Sequence, residues 1–89
     1  MKAIVSVIGK DNIGILAKVS MICSENYANI EDVTQSILQD MFVMVMMLDI
    51  SNEKCNLSKL REDLEELGNS INMKITVMHE DIFNSMHRI

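Results

Sequence analysis

The sequence predicts an α+β fold: a four-stranded antiparallel sheet with two long helices on one face and a short extra helix at the C-terminus. Three observations support this prediction. Apolar residues alternate with period two in four short stretches, and they recur at helical spacing in two longer ones. The stretches follow one another in the order βαββαβ, which is that of the ferredoxin-like sandwich. The 89 residues are enough for one domain, so we expect a single domain over residues 1–89, with residues 80–89 as the short helical tail.

The N-terminal third predicts a strand, a polar turn and a helix. Lys2–Ile8 is largely apolar on both faces, as in a strand that is covered on both sides. Gly9–Asn12 predicts a turn in which Asp11 and Asn12 are available to cap a helix. Apolar residues at helical spacing then predict an amphipathic helix over Ile13–Asn26.

The middle of the chain predicts a β-hairpin. Ile30–Leu38 has the alternation of a strand, and Gln39 and Asp40 form a tight turn after it. Phe42–Ile50 is a nearly continuous apolar strand with two apolar faces. Two such faces imply that something besides the two long helices covers the sheet, so we expect the face opposite these helices to need a partner.

The last third predicts a second long helix, a strand and the tail helix. Asn56 or Ser58 is expected to cap the second helix, and Gly68 is expected to stop it. Asn72–Met78 predicts the fourth strand, and Glu80–Arg88 predicts the tail helix. The buried stripe of the second helix is expected to be made of four leucines: Leu57, Leu60, Leu64 and Leu67.

Charge and composition exclude several classes of partner. The net charge is −5 and the eight basic residues are scattered, which argues against nucleic acid and anionic membranes. The chain offers no run of about 20 apolar residues for a membrane span. The two cysteines, Cys23 and Cys55, lack CxxC spacing, so we expect reduced thiols in a cytoplasmic protein. Cys23 is expected to be buried and inert, and Cys55 to be exposed.

Residues able to support catalysis or bind a metal are sparse, so we expect no enzyme, no cofactor and no metal site. The sequence shows no Ser-His-Asp arrangement, no Walker-type loop and no HExxH. Neither cysteine has a neighbouring histidine that would activate it. Methionines near the third strand are expected to pack rather than bind Cu(I), because the alternation places them on two faces; they are Met41, Met44, Met46 and Met47. His79 and His87 are expected at the surface, with a metal site shared by two subunits as the less favoured alternative.

A motif after the first strand carries a resemblance to a known family. The strand ends in Gly9-Lys10-Asp11-Asn12-Ile13-Gly14-Ile15, which fits G-x-D-x-x-G-[IL], and a helix follows. Asn29-Ile30 then leads into the second strand. This combination resembles the ACT domain over essentially the whole chain. It is most similar to the small, often uncharacterised free-standing ACT proteins of bacteria and archaea, which are related to the glycine-cleavage-system repressor type.

The resemblance implies a regulatory module that pairs with itself and binds an amino acid at the homodimer interface. The first turn of the helix after the loop has free N–H groups that suit a carboxylate, and Gly14 in that turn lets a ligand or partner approach. Asp11 stands where serine-sensing ACT domains carry Asn, and its carboxylate would accept a hydrogen bond from an ammonium group. The expected ligand-binding residues are Asp11, Asn12, Ile13, Gly14, Asn29 and Ile30.

Two alternatives remain open at the level of the sequence. The loop and Asn29 have ordinary structural explanations, since the loop can cap a helix and Asn29 can end the helix and start a strand. The chain can also be a protein-interaction module without a ligand, docking by a sheet edge or by the open sheet face onto an enzyme or regulator. The doubly apolar strand Phe42–Ile50 favours this second reading.

Overall fold

The computed structural model describes residues 1–86 and confirms the predicted fold class and the order of the elements. The elements are β1 (Lys2–Lys10), α1 (Ile15–Glu25), β2 (Asn29–Leu38), β3 (Met41–Asp49), α2 (Leu57–Ser70), β4 (Met73–His79) and α3 (Glu80–Met86).

One antiparallel sheet contains all four strands in the order β2-β3-β1-β4. Val5 at the centre of β1 lies opposite Met46 of β3 on one side and Val77 of β4 on the other. Gln39 and Asp40 join β2 to β3 with φ angles of 48° and 69°. A two-residue turn with both φ angles positive twists in the same sense as the strands, which explains the tight hairpin.

The core lies between α1, α2 and one face of the sheet, which we call the helix face. Met44 and Met46 of β3 are fully buried there and fill the space that aromatic residues occupy in many cores. Met41 and Met47 lie on the opposite face of β3, so the predicted division of the methionine stripe is confirmed. The helices and the central strand contribute these further core residues: Ala3, Val5, Val7, Ile15, Val19, Cys23, Leu60 and Leu64.

The ends of α2 are set by Asn56 and by close packing beyond Gly68. The Asn56 Oδ1 accepts a hydrogen bond from the backbone N–H of Lys59 at 3.0 Å, which confirms one of the two expected caps. The expected stop at Gly68 is wrong, because α2 continues to Ser70 and Gly68 is buried inside it. A Cβ on Gly68 would lie 2.6 Å from the carbonyl oxygen of Met73, so glycine is needed for close packing of α2 on β4.

A buried polar contact joins α1 to α2. Asn26, which ends α1, is 4% exposed, and its Nδ2 donates to the Ile22 carbonyl at 2.9 Å and to Asp63 Oδ2 at 3.0 Å. The Lys59 ammonium donates to the same carboxylate oxygen at 2.8 Å. Hydrogen bonds from Lys59 and then from Asn26 lower the pKa of Asp63. The contact is a direct polar link between the end of α1 and α2.

The sheet face opposite α1 and α2, here called the open face, is partly covered by α3. The helix contacts β1 and β4. Phe83 lines a small groove together with Ile4, and Ile4 is only 7% exposed although it lies on this face. The sequence predicted that something besides the two long helices covers this face; α3 of the same chain covers part of it over β1 and β4, while Val45 and Met47 remain 41% and 37% exposed. The predicted tail residues 87–89 lie outside the described residues.

Candidate functional site

The loop between β1 and α1, Asp11–Gly14, is tied to the neighbouring hairpin. The backbone N–H of Asp11 donates to the Asp40 carbonyl at 3.3 Å. The side-chain oxygen of Asn12 accepts a hydrogen bond from the N–H of Ile13 at 2.8 Å. Ile13 itself is 90% exposed. The loop therefore has a defined shape and presents its apolar and carboxylate groups outward.

Gly14 is the last residue before α1 and has a left-handed backbone. Its φ is 76° and ψ is 19°, a conformation that glycine adopts without strain. The sequence placed Gly14 inside the first turn and expected Asp11 or Asn12 as the cap. The helix instead begins at Ile15 with Gly14 at the cap position, where it makes no side-chain hydrogen bond. Apart from Gly14 and its two chain neighbours, residues 1–86 place no heavy atom within 4 Å of a Cβ built on Gly14, so the space beside the helix start is open.

The start of α1 is consequently suited to an anionic group. A helix N-terminus carries unpaired N–H groups and a partial positive charge, and a capping side chain normally satisfies some of them. Glycine at the cap position supplies no such side chain, so a carboxylate from a ligand would find free donors there.

The other predicted site residues, Asn29 and Ile30, begin β2 and line a groove beside α1. This α1–β2 groove has a volume of about 340 Å³. Its lining combines two hydroxyls, an amide and a phenol ring with aliphatic surface, from Ser20, Ser24, Tyr27, Ala28, Asn29 and Ile30. The groove can therefore make hydrogen bonds as well as apolar contacts with a small molecule.

Tyr27 shapes this groove, and the sequence reasoning did not single it out. It follows the end of α1 with a φ of 60°, in the left-handed region that favours glycine. The chain reverses there, because the N–H of Ala28 donates back to the Cys23 carbonyl at 2.9 Å. The Lys54 ammonium lies 5.3 Å from the centroid of the Tyr27 ring, within the range of a cation–π contact. A tyrosine at a helix end where glycine is usual was the available signal in the sequence.

The two halves of the predicted site are far apart within one chain. Asn29 lies opposite Asp49, which lies opposite Lys2, so it belongs to the end of the sheet where β1 begins. The Asp11–Gly14 loop follows Lys10 at the other end, roughly 25 Å away at about 3.3 Å per residue. One chain brings Asp11, Asn12, Ile13 and Gly14 together, and separately Asn29 and Ile30, but it does not join the two sets.

The two thiols lie in low-reactivity surroundings. Cys23 is buried in the core, and burial raises the pKa of its thiol to about 11. Cys55 was expected to be exposed, but it is half-buried and packs against the core, and desolvation raises its pKa. Thiolates are the reactive species, so this arrangement does not favour nucleophilic chemistry at either cysteine.

Metal-binding groups do not cluster in the described part of the chain. Among residues 1–86, no group of three or more His, Cys, Asp or Glu side chains is placed to hold a metal ion. His79 Nδ1 accepts a hydrogen bond from the N–H of Asp81 at 3.1 Å, at the start of α3. His87 lies outside the described residues. Within the same described range, no helix has the length and apolar character needed to cross a bilayer.

Comparison with known proteins identifies the family. The ACT domain model matches residues 2–78. The chain belongs to the ACT domain family. It is 46% identical over 88 residues to a UPF0237 protein of Methanocaldococcus jannaschii, covering 99% of this chain and 98% of that protein. The solved structure of an ACT domain protein from Streptococcus pneumoniae is 40% identical, covers 93% of each chain and superposes with a TM-score of 0.81.

A more distant solved structure shows the same fold. It is assigned as a glycine cleavage system transcriptional repressor and superposes with a TM-score of 0.75 at 18% identity, covering 85% of this chain and 43% of that one. At this identity the likeness concerns the fold alone. The family assignment places this ACT chain among regulatory modules.

Proposed function

We propose that this ACT domain is a homodimeric sensor that binds an amino acid at sites shared by two chains. The observation that carries the proposal is the separation of the two half-sites within one chain. The Asp11–Gly14 loop offers a carboxylate and a free helix N-terminus, and the α1–β2 groove offers hydroxyls and the Asn29 amide. Each set is too incomplete to enclose an amino acid, whereas together they match its ammonium, carboxylate and side chain.

Pairing along β2 would bring the two half-sites together. Within the described residues β2 pairs only with β3, so its other edge is free to add a strand. In an antiparallel β2–β2 pair, the start of one strand lies beside the end of the other. Asn29 of one protomer would then lie at the sheet end that carries the Asp11–Gly14 loop of its partner. The result is an eight-stranded sheet with two composite sites related by the twofold axis.

Exposed apolar side chains around this edge support the same pairing. Ile37 and Leu38 at the end of β2 are 60% and 64% exposed, and Leu16 on α1 is 38% exposed. Ile13 on the loop extends this apolar surface toward the helix start. Complete burial of one such side chain in the dimer contributes roughly 1.5–3 kcal/mol of stabilising free energy. A small domain gains stability by pairing in this way.

In the composite site each predicted residue has a separate role. Asp11 accepts a hydrogen bond from the ligand ammonium, and the helix start beyond Gly14 faces an anionic group. Asn12 fixes the loop through its bond to the Ile13 N–H, and Ile13 covers the site from solvent. Asn29 and Ile30 of the other protomer provide one hydrogen-bonding and one apolar wall.

The experiment is a thermal-shift screen against the twenty amino acids, with the mass of the protein in solution measured in parallel. A ligand at 100 times its Kd adds about 2.7 kcal/mol of stability. We expect one amino acid or a small related group to raise the Tm of a dimer, and Asn29→Ala to abolish the rise. A monomer at micromolar concentration, or a flat response to all twenty, would contradict the proposal.

A second candidate function is a protein-docking module, and the open face favours it. Ile8, Val45 and Met47 form an apolar strip on this face that remains 37–42% exposed. A partner enzyme or regulator with a complementary apolar surface would bury this strip. A stoichiometric complex that is lost with Val45→Lys, together with a flat amino-acid screen, would support docking over sensing.

A further inference from the structure

Tyr27 has a backbone conformation that works against the stability of the fold. Its φ of 60° places Cβ close to the following carbonyl group, which is why glycine is the usual residue at such helix ends. Tyr27 is 51% exposed and is not part of the core, so packing there does not offset this cost. Strained residues of this kind occur preferentially at binding sites, where the side chain has a use that outweighs the strain.

The surroundings of the ring indicate what that use is. Tyr27 lines the α1–β2 groove together with Ser20, Ser24 and Asn29. The Lys54 ammonium lies 5.3 Å from the ring centroid of Tyr27, which is itself a lining residue of the groove. Without the ring, the Lys54 side chain would have no contact to keep its ammonium in this position. Tyr27 therefore both shapes the groove and holds the Lys54 charge near it.

We infer that Tyr27 contacts the ligand and, with Lys54 and the two serines, restricts the site to small polar amino acids. This inference rests on the proposed function. The Lys54 charge adds to the attraction that the free helix start of the other protomer exerts on the ligand carboxylate, while Asp11 of that protomer attracts the ammonium. A polar side chain replaces the water on the Ser20 and Ser24 hydroxyls with new hydrogen bonds. A bulky apolar side chain would leave these hydroxyls without partners, which weakens its binding.

The chain contains a matched control for the backbone effect. Asn72 follows the end of α2 with a φ of 58°, so it has nearly the same backbone conformation as Tyr27. It is absent from the lining of the α1–β2 groove. Replacing Asn72 by glycine therefore changes a helix end of the same type without altering the site.

The test combines ligand titration with melting curves of the full chain. The probes are L-serine and L-threonine as small polar ligands, and L-leucine and L-phenylalanine as apolar ones, titrated calorimetrically. We expect wild type and Asn72→Gly to prefer the polar pair equally. We expect Tyr27→Gly and Tyr27→Ala to weaken polar binding at least tenfold. Without ligand, Tyr27→Gly should melt at or above wild type, and roughly 4–8 °C above Tyr27→Ala for a domain of this size.

Each other outcome counts against a distinct statement. Polar binding that is unchanged in Tyr27→Gly would overturn the inference and leave the proposed sensor intact. A preference for leucine or phenylalanine would overturn the ligand class. A Tyr27→Gly variant that melts well below wild type would show that the ring serves the fold, which also overturns the inference. Absence of binding by every amino acid would remove the proposed function and this inference together.

Discussion

Gly68 lies inside α2, where a change to alanine would ordinarily stabilise a helix by about 1 kcal/mol. The structure predicts the opposite sign. A Cβ at this position would lie 2.6 Å from the Met73 carbonyl oxygen and 3.1 Å from Cγ1 of Ile75. The Met73 carbonyl oxygen belongs to the backbone of β4. Met73 pairs with Gly9 of β1, so this backbone cannot move away from α2 without disturbing the sheet.

The magnitude follows from two opposing effects. Forcing one extra carbon into a packed interface costs about 1–3 kcal/mol, and the helix propensity of alanine returns about 1 kcal/mol. The net expectation for Gly68→Ala is a loss of up to about 2 kcal/mol, which lowers the Tm by roughly 4–8 °C per kcal/mol.

The assay is urea denaturation followed by circular dichroism at one fixed protein concentration, since the chain contains no tryptophan for fluorescence. Asn69→Ala is the control, because Asn69 is the next residue of α2 and is exposed. It should stabilise the protein slightly through helix propensity alone. A Gly68→Ala protein as stable as the control would refute the close packing of α2 on β4.

Three further predictions concern other parts of the chain. Gly14→Ala should cost about 1–2 kcal/mol in urea denaturation because of its positive φ; an unchanged midpoint would contradict that conformation. In a thiol-labelling time course of the native protein at pH 8, Cys55 should be modified before Cys23, because burial raises the pKa of the Cys23 thiol to about 11. Equal labelling rates of the two cysteines would contradict the burial of Cys23. Asp63→Asn should lower the Tm at neutral pH but not near pH 2, since hydrogen bonding, chiefly from Lys59, lowers the pKa of Asp63. A carboxyl group whose pKa is lower in the folded protein than in the unfolded chain stabilises the fold at pH values above its unfolded pKa, and this stabilisation is lost as the pH falls through its folded pKa. An equal decrease in Tm at both pH values would contradict the prediction.

Much of the fold could be predicted from local patterns. The alternation in β3 correctly located buried side chains, and of the leucines predicted for α2, Leu60 and Leu64 are buried while Leu57 and Leu67 are half-buried against the core. Burial on one face imposes a period that the sequence records. Gly68 misled because a glycine near the end of a helical pattern has two physical explanations, a left-handed stop and a close approach. Only the position of β4 distinguishes them, and that is a contact between distant parts of the chain.

The candidate site could be predicted only in part for a similar reason. The Asp11–Gly14 loop is contiguous, so its motif was visible in the sequence. Ser20 and Ser24 are ordinary helix residues whose meaning appears only when α1 lies beside the start of β2. The covering of the open face by Phe83 was also missed, because a short helical pattern does not indicate which surface it contacts.

The central claim is that each site takes one half from each of two chains, and a mixed dimer tests it most directly. One chain would carry Asp11→Ala and the other Asn29→Ala, each with a different affinity tag so that the mixed dimer can be isolated. Each pure variant has a defect in both of its sites, whereas the mixed dimer has one intact site and one site with both defects. Titration with the amino acid that gives the largest thermal shift should therefore show one ligand per mixed dimer at wild-type affinity, and negligible binding to either pure variant. A mixed dimer that binds no better than the pure variants would contradict the shared site.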